Sequence, residues 1–441
     1  MPIALQRISL RVGAVALAFA LVMLALRVID TSGPSSTASR ADLTAVAGSS
    51  IPPGATTDQQ IEVLQAQLRS ALGADTYANL GLTYLQKVRE SGDPSFYTKA
   101  DGVLREALKT DPQNFTATSG LGQLALSRHD FHAGLALGER ARRIDPGVAR
   151  NYGVIADAEV ELGRYTAAGR TLQKWVDLKP ELSSYARVSY FRELHGDLPG
   201  ALAAMQLAVT AGGQSPENLG YVEALVGQLQ LESGNYAAAE RAYRTALAGD
   251  PGYPAALAGL ARVEAGRGEY DAAIAHYQRA VQKIPLPEYV IGLGETQQAA
   301  GRIAPAQASY ALVGVEVKLL RANGVNTDVD LALFEANHGS AAKAVLLGRR
   351  AWDEAPSVRS ADAYSWALSR AGNDAAALRF SAEAMKLGSR DPSFLYHAGI
   401  VAQRARRDES ARRYLSQLVV QSPRFNPLYG PRARMALREL G

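Results

Sequence analysis

His129 and His132 stand three residues apart in the run Arg-His-Asp-Phe-His, with Asp130 between them. On a helix that spacing would set both imidazoles on one face, where they could hold a metal ion. The register of the chain instead puts them at a turn between helices, a place where an imidazole caps carbonyls. His195 and His338 fall at nearly the same point of their own segments, so recurrence favours local structure over metal. Serine hydrolysis would need a G-x-S-x-G elbow between a strand and a helix, and no strand is predicted. The Gly-Leu-Gly runs at 120–122 and 292–294 do not extend to G-x-G-x-x-G, and no phosphate-loop lysine follows either. With no cysteine there is no disulfide, thiolate metal site, cysteine nucleophile or acylated anchor. No catalytic residue, metal or cofactor is assigned.

Composition agrees with little catalytic equipment. The chain has 441 residues, 47% hydrophobic and 20% charged, enough apolar material for a core and too much for disorder. A net charge of +4 is too mild to mark a nucleic-acid binder. Six His and nine Phe against abundant small residues favour close helix–helix packing, and hence an all-α protein. Residues 401–441 concentrate nine Arg against three acids. That patch reads first as a solvated end face, and second as a contact for an acidic protein or anionic lipid. Nucleic acid is not expected, because few aromatics (Tyr414, Phe425, Tyr429) stand there for base stacking.

Residues 12–26 are uncharged and apolar all round, bracketed by Arg11 and Arg27. As a helix they span about 22 Å, extended toward a roughly 30 Å hydrocarbon core if the arginines snorkel. Residues 1–30 are therefore expected to be a signal-anchor, with a cleaved signal peptide as the alternative. The nearest small-x-small site, Ala45-Val46-Ala47, lies far past the run. Arg7 and Arg11 precede it, so the positive-inside rule leaves the rest of the chain extracytoplasmic. Residues 31–57 are almost all Ser, Thr, Gly, Pro or Ala and read as a flexible tether.

Beyond the tether the chain repeats itself. Small residues recur at Ala100, Gly134, Ala168, Ala201, Ala239, Ala273, Ala306, Ala344, Ala377 and Ala411, spaced 33 or 34 apart with two intervals of 38. Five residues before seven of them stands a Gly (163, 196, 234, 268, 301, 339, 372), suited to positive φ between two helices. Asp197, Asn235 and Asn373 follow as helix caps. Twelve residues after most of them a Pro, such as Pro146, Pro251 or Pro285, closes the unit. Leu104, Leu172, Tyr243, Tyr277 and Tyr310 fill the space between helices. A single pair cannot bury both faces, so pairs must stack.

This pattern resembles the tetratricopeptide repeat family, through Gly227, Gly234, Tyr236, Ala239, Tyr243, Ala246 and Pro251 in one unit and Leu260, Gly268, Tyr270, Ala273, Tyr277, Ala280 and Pro285 in another. The resemblance implies a right-handed α-α superhelix of about ten helix pairs over 74–423, its concave face lined by the first helix of each pair. Residues 58–73 and 424–441 read as capping helices, with Ile61, Leu64, Leu68 and Leu72 at the front and Met435, Leu437 and Leu440 at the back. Extra residues around Glu90–Phe96 suggest a lengthened loop. The 38-residue intervals suggest a longer helix before the loops near Val209–Asn218 and Gly314–Thr327.

The register points the C-terminal half of the groove at a partner: Arg262, Arg359, Asp362, Trp366, Arg370, Tyr396 and Arg404 combine aromatic anchors with arginine forks. Trp366 fits inter-repeat core equally well. The resemblance implies a non-enzymatic scaffold binding a protein or peptide, and the arginine forks suit an acidic one. The lysine–asparagine clamp by which some relatives hold chaperone tails is missing, since Ala78 and Leu82 stand at its positions. The alternative is a carrier or sensor of a small or lipidic ligand, lined by Leu82, Leu126, Leu231, Ile291, Val329 and Leu333.

Overall fold

A computed structural model describes residues 51–52, 54–212 and 216–441. The expected anchor and most of the tether lie outside the described residues. Among the described residues no helix is long and apolar enough to cross a membrane, and the secondary structure is 22 helices with no strand.

Helix α1 (Thr57–Ser70) precedes ten pairs. These are α2 (Ala74–Ser91) with α3 (Ser95–Thr110), α4 (Phe115–Ser127) with α5 (Phe131–Ile144), and α6 (Arg150–Glu161) with α7 (Tyr165–Leu178). Next come α8 (Leu182–Leu194) with α9 (Leu198–Ala211), α10 (Pro216–Glu232) with α11 (Tyr236–Gly249), and α12 (Pro254–Arg267) with α13 (Tyr270–Lys283). The last four are α14 (Pro287–Ala299) with α15 (Ile303–Ala322), α16 (Asp328–His338) with α17 (Ala341–Glu354), α18 (Val358–Arg370) with α19 (Asp374–Ala384), and α20 (Pro392–Arg404) with α21 (Asp408–Gln421). Helix α22 (Tyr429–Glu439) follows them.

Small residues set the packing. Ala100, Ala168, Ala201, Ala239, Ala273, Ala344, Ala377 and Ala411 are all 0% exposed, each at a helix–helix approach. Large side chains then occupy the gaps left by glycine. The Tyr243 ring lies between α10 and α12, and a Cβ added at Gly227 or Gly259 would come within 2.6 or 2.2 Å of it. Interdigitation of this kind leaves no room for even one methyl without displacement.

Turn chemistry follows the sequence with instructive exceptions. Gly163, Gly196, Gly234, Gly268, Gly301 and Gly372 take positive φ. Gly339 does not (φ −132°), because the Glu335 carboxylate folds over it to accept from the Ser340 N–H. The equivalent positions in the second and tenth units are His129 and Arg406, and both adopt positive φ without being glycine. Asp197 and Asn373 cap their helices, whereas the Asn235 amide turns back to Gln230. The extra residues of the first unit lengthen α2 to 18 residues rather than the loop, which is a tight turn through Gly92. Leu72, expected in the front cap, is 73% exposed, since it lies beyond the end of α1.

Candidate functional site

In a simple solenoid each unit touches only its neighbours. Here units 1 to 6 also touch units 7 to 10 or the loops that follow them, because the superhelix closes on itself. At each contact the turn inside an early unit lies under the loop that follows a late one. The Asn326 N–H donates to the Arg128 carbonyl (2.9 Å), and Arg128 Nε donates to the Asn323 carbonyl (3.0 Å). His129 donates through Nδ1 to the Asn326 carbonyl, and His132 through Nε2 to that of Glu354 (3.1 Å). The histidine pair thus caps carbonyls, as its place at a turn suggested. Those carbonyls lie 197 and 222 residues away rather than in the same turn.

The next seats repeat the arrangement. The Val358 N–H donates to the Tyr165 hydroxyl (2.7 Å), and Gly163 lies under Pro356. Gly196 lies under the Gly388 carbonyl. Gln421 Nε2 donates to both the Glu232 and Arg390 carbonyls at 2.8 Å, tying the two layers together. The Arg424 N–H donates to the Tyr236 hydroxyl (3.1 Å). Within the late layer, Asn426 Nδ2 and His338 Nε2 share the Glu295 carboxylate of α14, at 2.7 and 3.0 Å. The 20-residue α15 supplies the reach for the first seat, ending in the Asn323–Thr327 loop whose 38-residue interval stood out in sequence.

Closure encloses the concave face and its charges. Arg187 pairs with Asp157 through Nη2 at 3.0 Å, both buried. Burial raises the Asp157 carboxyl above the usual carboxylate range, and Arg187 opposes it. Glu193, Glu232 and Asp391 approach one another from α8, α10 and the loop before α20. Burial pushes Glu193 well above its ordinary value, with Glu232 and Asp391 adding to the shift and Arg359 opposing. Burial, then the Asp391 charge, lifts Glu232 to about 7, against Gln228 and Arg262. Asp391 is raised by burial and by Asp362, and lowered by the Phe394 and Ser393 N–H groups that it caps.

The groove residues read from the register therefore divide. Trp366 is 3% exposed, with Nε1 donating to Asn337 Oδ1 (2.8 Å) and its ring stacked on His397 at 4.4 Å. Tyr396 (5%) and Asp362 (4%) are buried too, and Asp362 accepts from His397 Nδ1 at 2.8 Å. The aromatic anchors are core in this conformation, because the next unit's aromatics cover them. Arg262 and Arg359 are half-buried beneath the seam. Arg370 and Arg404 are exposed; Arg370 donates to the Ala336 carbonyl and Arg404 pairs with Asp374 at 3.0 Å. Of the residues suggested for a lipidic cavity, Leu126 and Leu231 are each only 2% exposed. Tyr236 was legible as a repeat position, but beyond the long interval before Asn326 no sequence signal marked Tyr165, Tyr236, Asn326 or Gln421 as seam residues.

No curated protein matches the sequence. Among solved structures, the APC/C hetero-tetramer Cut9–Hcn1 is 16% identical, covering 87% of this chain and 83% of that one at a TM-score of 0.38. The human IFIT1 dimer with PPP-AAAA is 15% identical, covering 76% and 78% at a TM-score of 0.47. Yeast Tom70 is 12% identical, covering 87% and 92% at 0.36. Residues 95–149 and 227–286 match the family described as tetratricopeptide repeat.

Proposed function

We propose that this chain is a non-enzymatic protein-interaction scaffold, held at a membrane by residues 1–30, with its helical body on the extracytoplasmic side. The observation that carries the reading is the unbroken stack of helix pairs, which offers extended surfaces rather than a cleft of reacting groups. In the closed spiral the accessible part of the proposed site is Arg370 and Arg404, placed to receive an acidic partner. Arg262 and Arg359 are reached only when the seam parts, so binding across the concave face is coupled to opening, whereas Asp362, Trp366 and Tyr396 stay covered by His397, Phe425 and Tyr429 and support the surface from within. A protein or peptide partner is proposed, with no cofactor.

Capture by cross-linking from solubilised membranes, with the full chain as bait, tests this. The Arg370→Glu, Arg404→Glu variant should lose a protein that the wild type retains. Recovery of the same proteins by both would overturn the proposed surface. A chain found in the soluble extracytoplasmic fraction, shortened at its amino terminus, would replace the anchor by a cleaved signal.

A further inference from the structure

The two layers of the spiral do not meet everywhere. Between the turn of unit 2 and the start of α18 lies a cleft of about 50 Å³, room for several water-sized groups. Leu126 and Phe131 from the early layer, and Val329, Ala351 and Ala355 from the late layer, make its walls mostly apolar. Its polar end is formed by Glu161, Asp330 and Arg359, and Glu354 also lines it.

The charges there do not balance. Arg359 is desolvated, yet Tyr190, Glu161 and Asp330 keep its guanidinium firmly charged. It offsets only one of the carboxylates that face the cleft. Burial holds the His129 imidazole below its ordinary range against Asp330, so His129 supplies no permanent cation. An apolar slot ending in surplus carboxylate fits a short alkyl chain ending in a positive group. An anion would meet Glu161 and Asp330, and a lipid tail would leave the surplus negative charge uncompensated.

We propose that this cleft binds an aliphatic primary ammonium: the methylenes lie along Leu126, Phe131 and Val329, and the nitrogen lies between Glu161 and Asp330. This rests on the scaffold reading insofar as the ammonium belongs to a lysine side chain of a partner, and a free alkylamine presents the same chemistry. The site exists only while the seam is closed, since its walls come from both layers. An occupant would therefore hold the spiral shut.

The test is calorimetric titration of the full chain with n-butylammonium, with butyrate of equal size, and with a short lysine peptide beside its Nε-acetyl counterpart. Butylammonium is expected to bind and butyrate not. Asp330→Asn should weaken the amine at least tenfold, and Val329→Phe, which fills the slot, should abolish binding while leaving the circular dichroism unchanged. Binding of the lysine peptide but not its acetylated form assigns the source to a protein. Binding of the free amine alone assigns it to a small molecule. Absence of amine binding, equal binding of butyrate, or an Asp330→Asn variant that folds and binds like wild type would each overturn the proposal. If Asp330→Asn fails to fold, the ammonium–butyrate contrast on the wild type still decides. The amine titration needs no partner, so its failure is separate from failure of the capture experiment.

Discussion

The turns through Gly163, Gly196 and Gly234 and those through Gly268, Gly301 and Gly372 have the same position in their units and the same left-handed backbone, with φ between 70° and 83°. Their surroundings differ completely. A Cβ at Gly163, Gly196 or Gly234 would lie 2.3, 2.2 or 1.9 Å from a carbonyl oxygen of the opposite layer. At Gly268, Gly301 and Gly372 nothing stands within 4 Å. One local motif thus serves two ends: in the late units glycine only shapes the turn, while in the early units it also lets a second layer lie directly on it.

Alanine substitution separates the two roles. Gly234→Ala combines a left-handed penalty with a collision against the Gln421 carbonyl, and should cost about 3 kcal/mol or more. Gly372→Ala bears only the first term, about 1 kcal/mol. Denaturant midpoints at fixed m-value measure the pair, and equal costs would mean that the seam contributes nothing.

The carboxylates beneath the seam give the second contrast. Glu232 has a value of about 7 in the folded chain against 4.5 ordinarily, so folding takes up a proton. Its stabilising contribution is complete below pH 4.5 and is lost as the pH rises through 7. Glu232→Gln keeps an acceptor for Gln228 but cannot ionise. It should raise stability at pH 8 by about 2 kcal/mol and flatten the fall between those values. A slope unchanged in the variant would assign the titration elsewhere; Glu316 on α15, lifted by burial to about 7, is the group to test next.

The smallest effects come from the two non-glycine residues at positive φ. Arg406 is exposed, so Arg406→Gly should be neutral or stabilising by up to about 1 kcal/mol. His129→Gly gains the same relief but loses the bond to the Asn326 carbonyl, and should be net destabilising by about 1 kcal/mol. Thermal unfolding of both variants in parallel reads the difference.

The local architecture was legible because it is written in small residues at a fixed interval. Ala100 to Ala411 mark the approach of each pair, and the turn glycines mark where each pair folds over. What lies five or six units away was not legible. The Tyr165 hydroxyl bonds to Val358 and Gln421 bridges Glu232 to Arg390 because of superhelical pitch, a sum of small inter-unit rotations that no single unit encodes. The same limit explains the groove. The register placed Trp366 and Tyr396 on first helices, but only the stacking of His397, Tyr429 and Phe425 around them decides that they are core.

Closure of the spiral is tested most directly by amide exchange at Asn326, Val358 and Arg424. Their N–H groups donate only across the seam, to the Arg128 carbonyl and the Tyr165 and Tyr236 hydroxyls. Val358 opens α18, where a first-turn amide has no partner within its own helix. In a closed chain these three amides should exchange at least about a hundredfold more slowly than the first-turn amide of Asp374, and Gly234→Ala should remove the difference. Exchange at the Asp374 rate in the wild type would contradict closure, leaving an open solenoid with its concave face exposed.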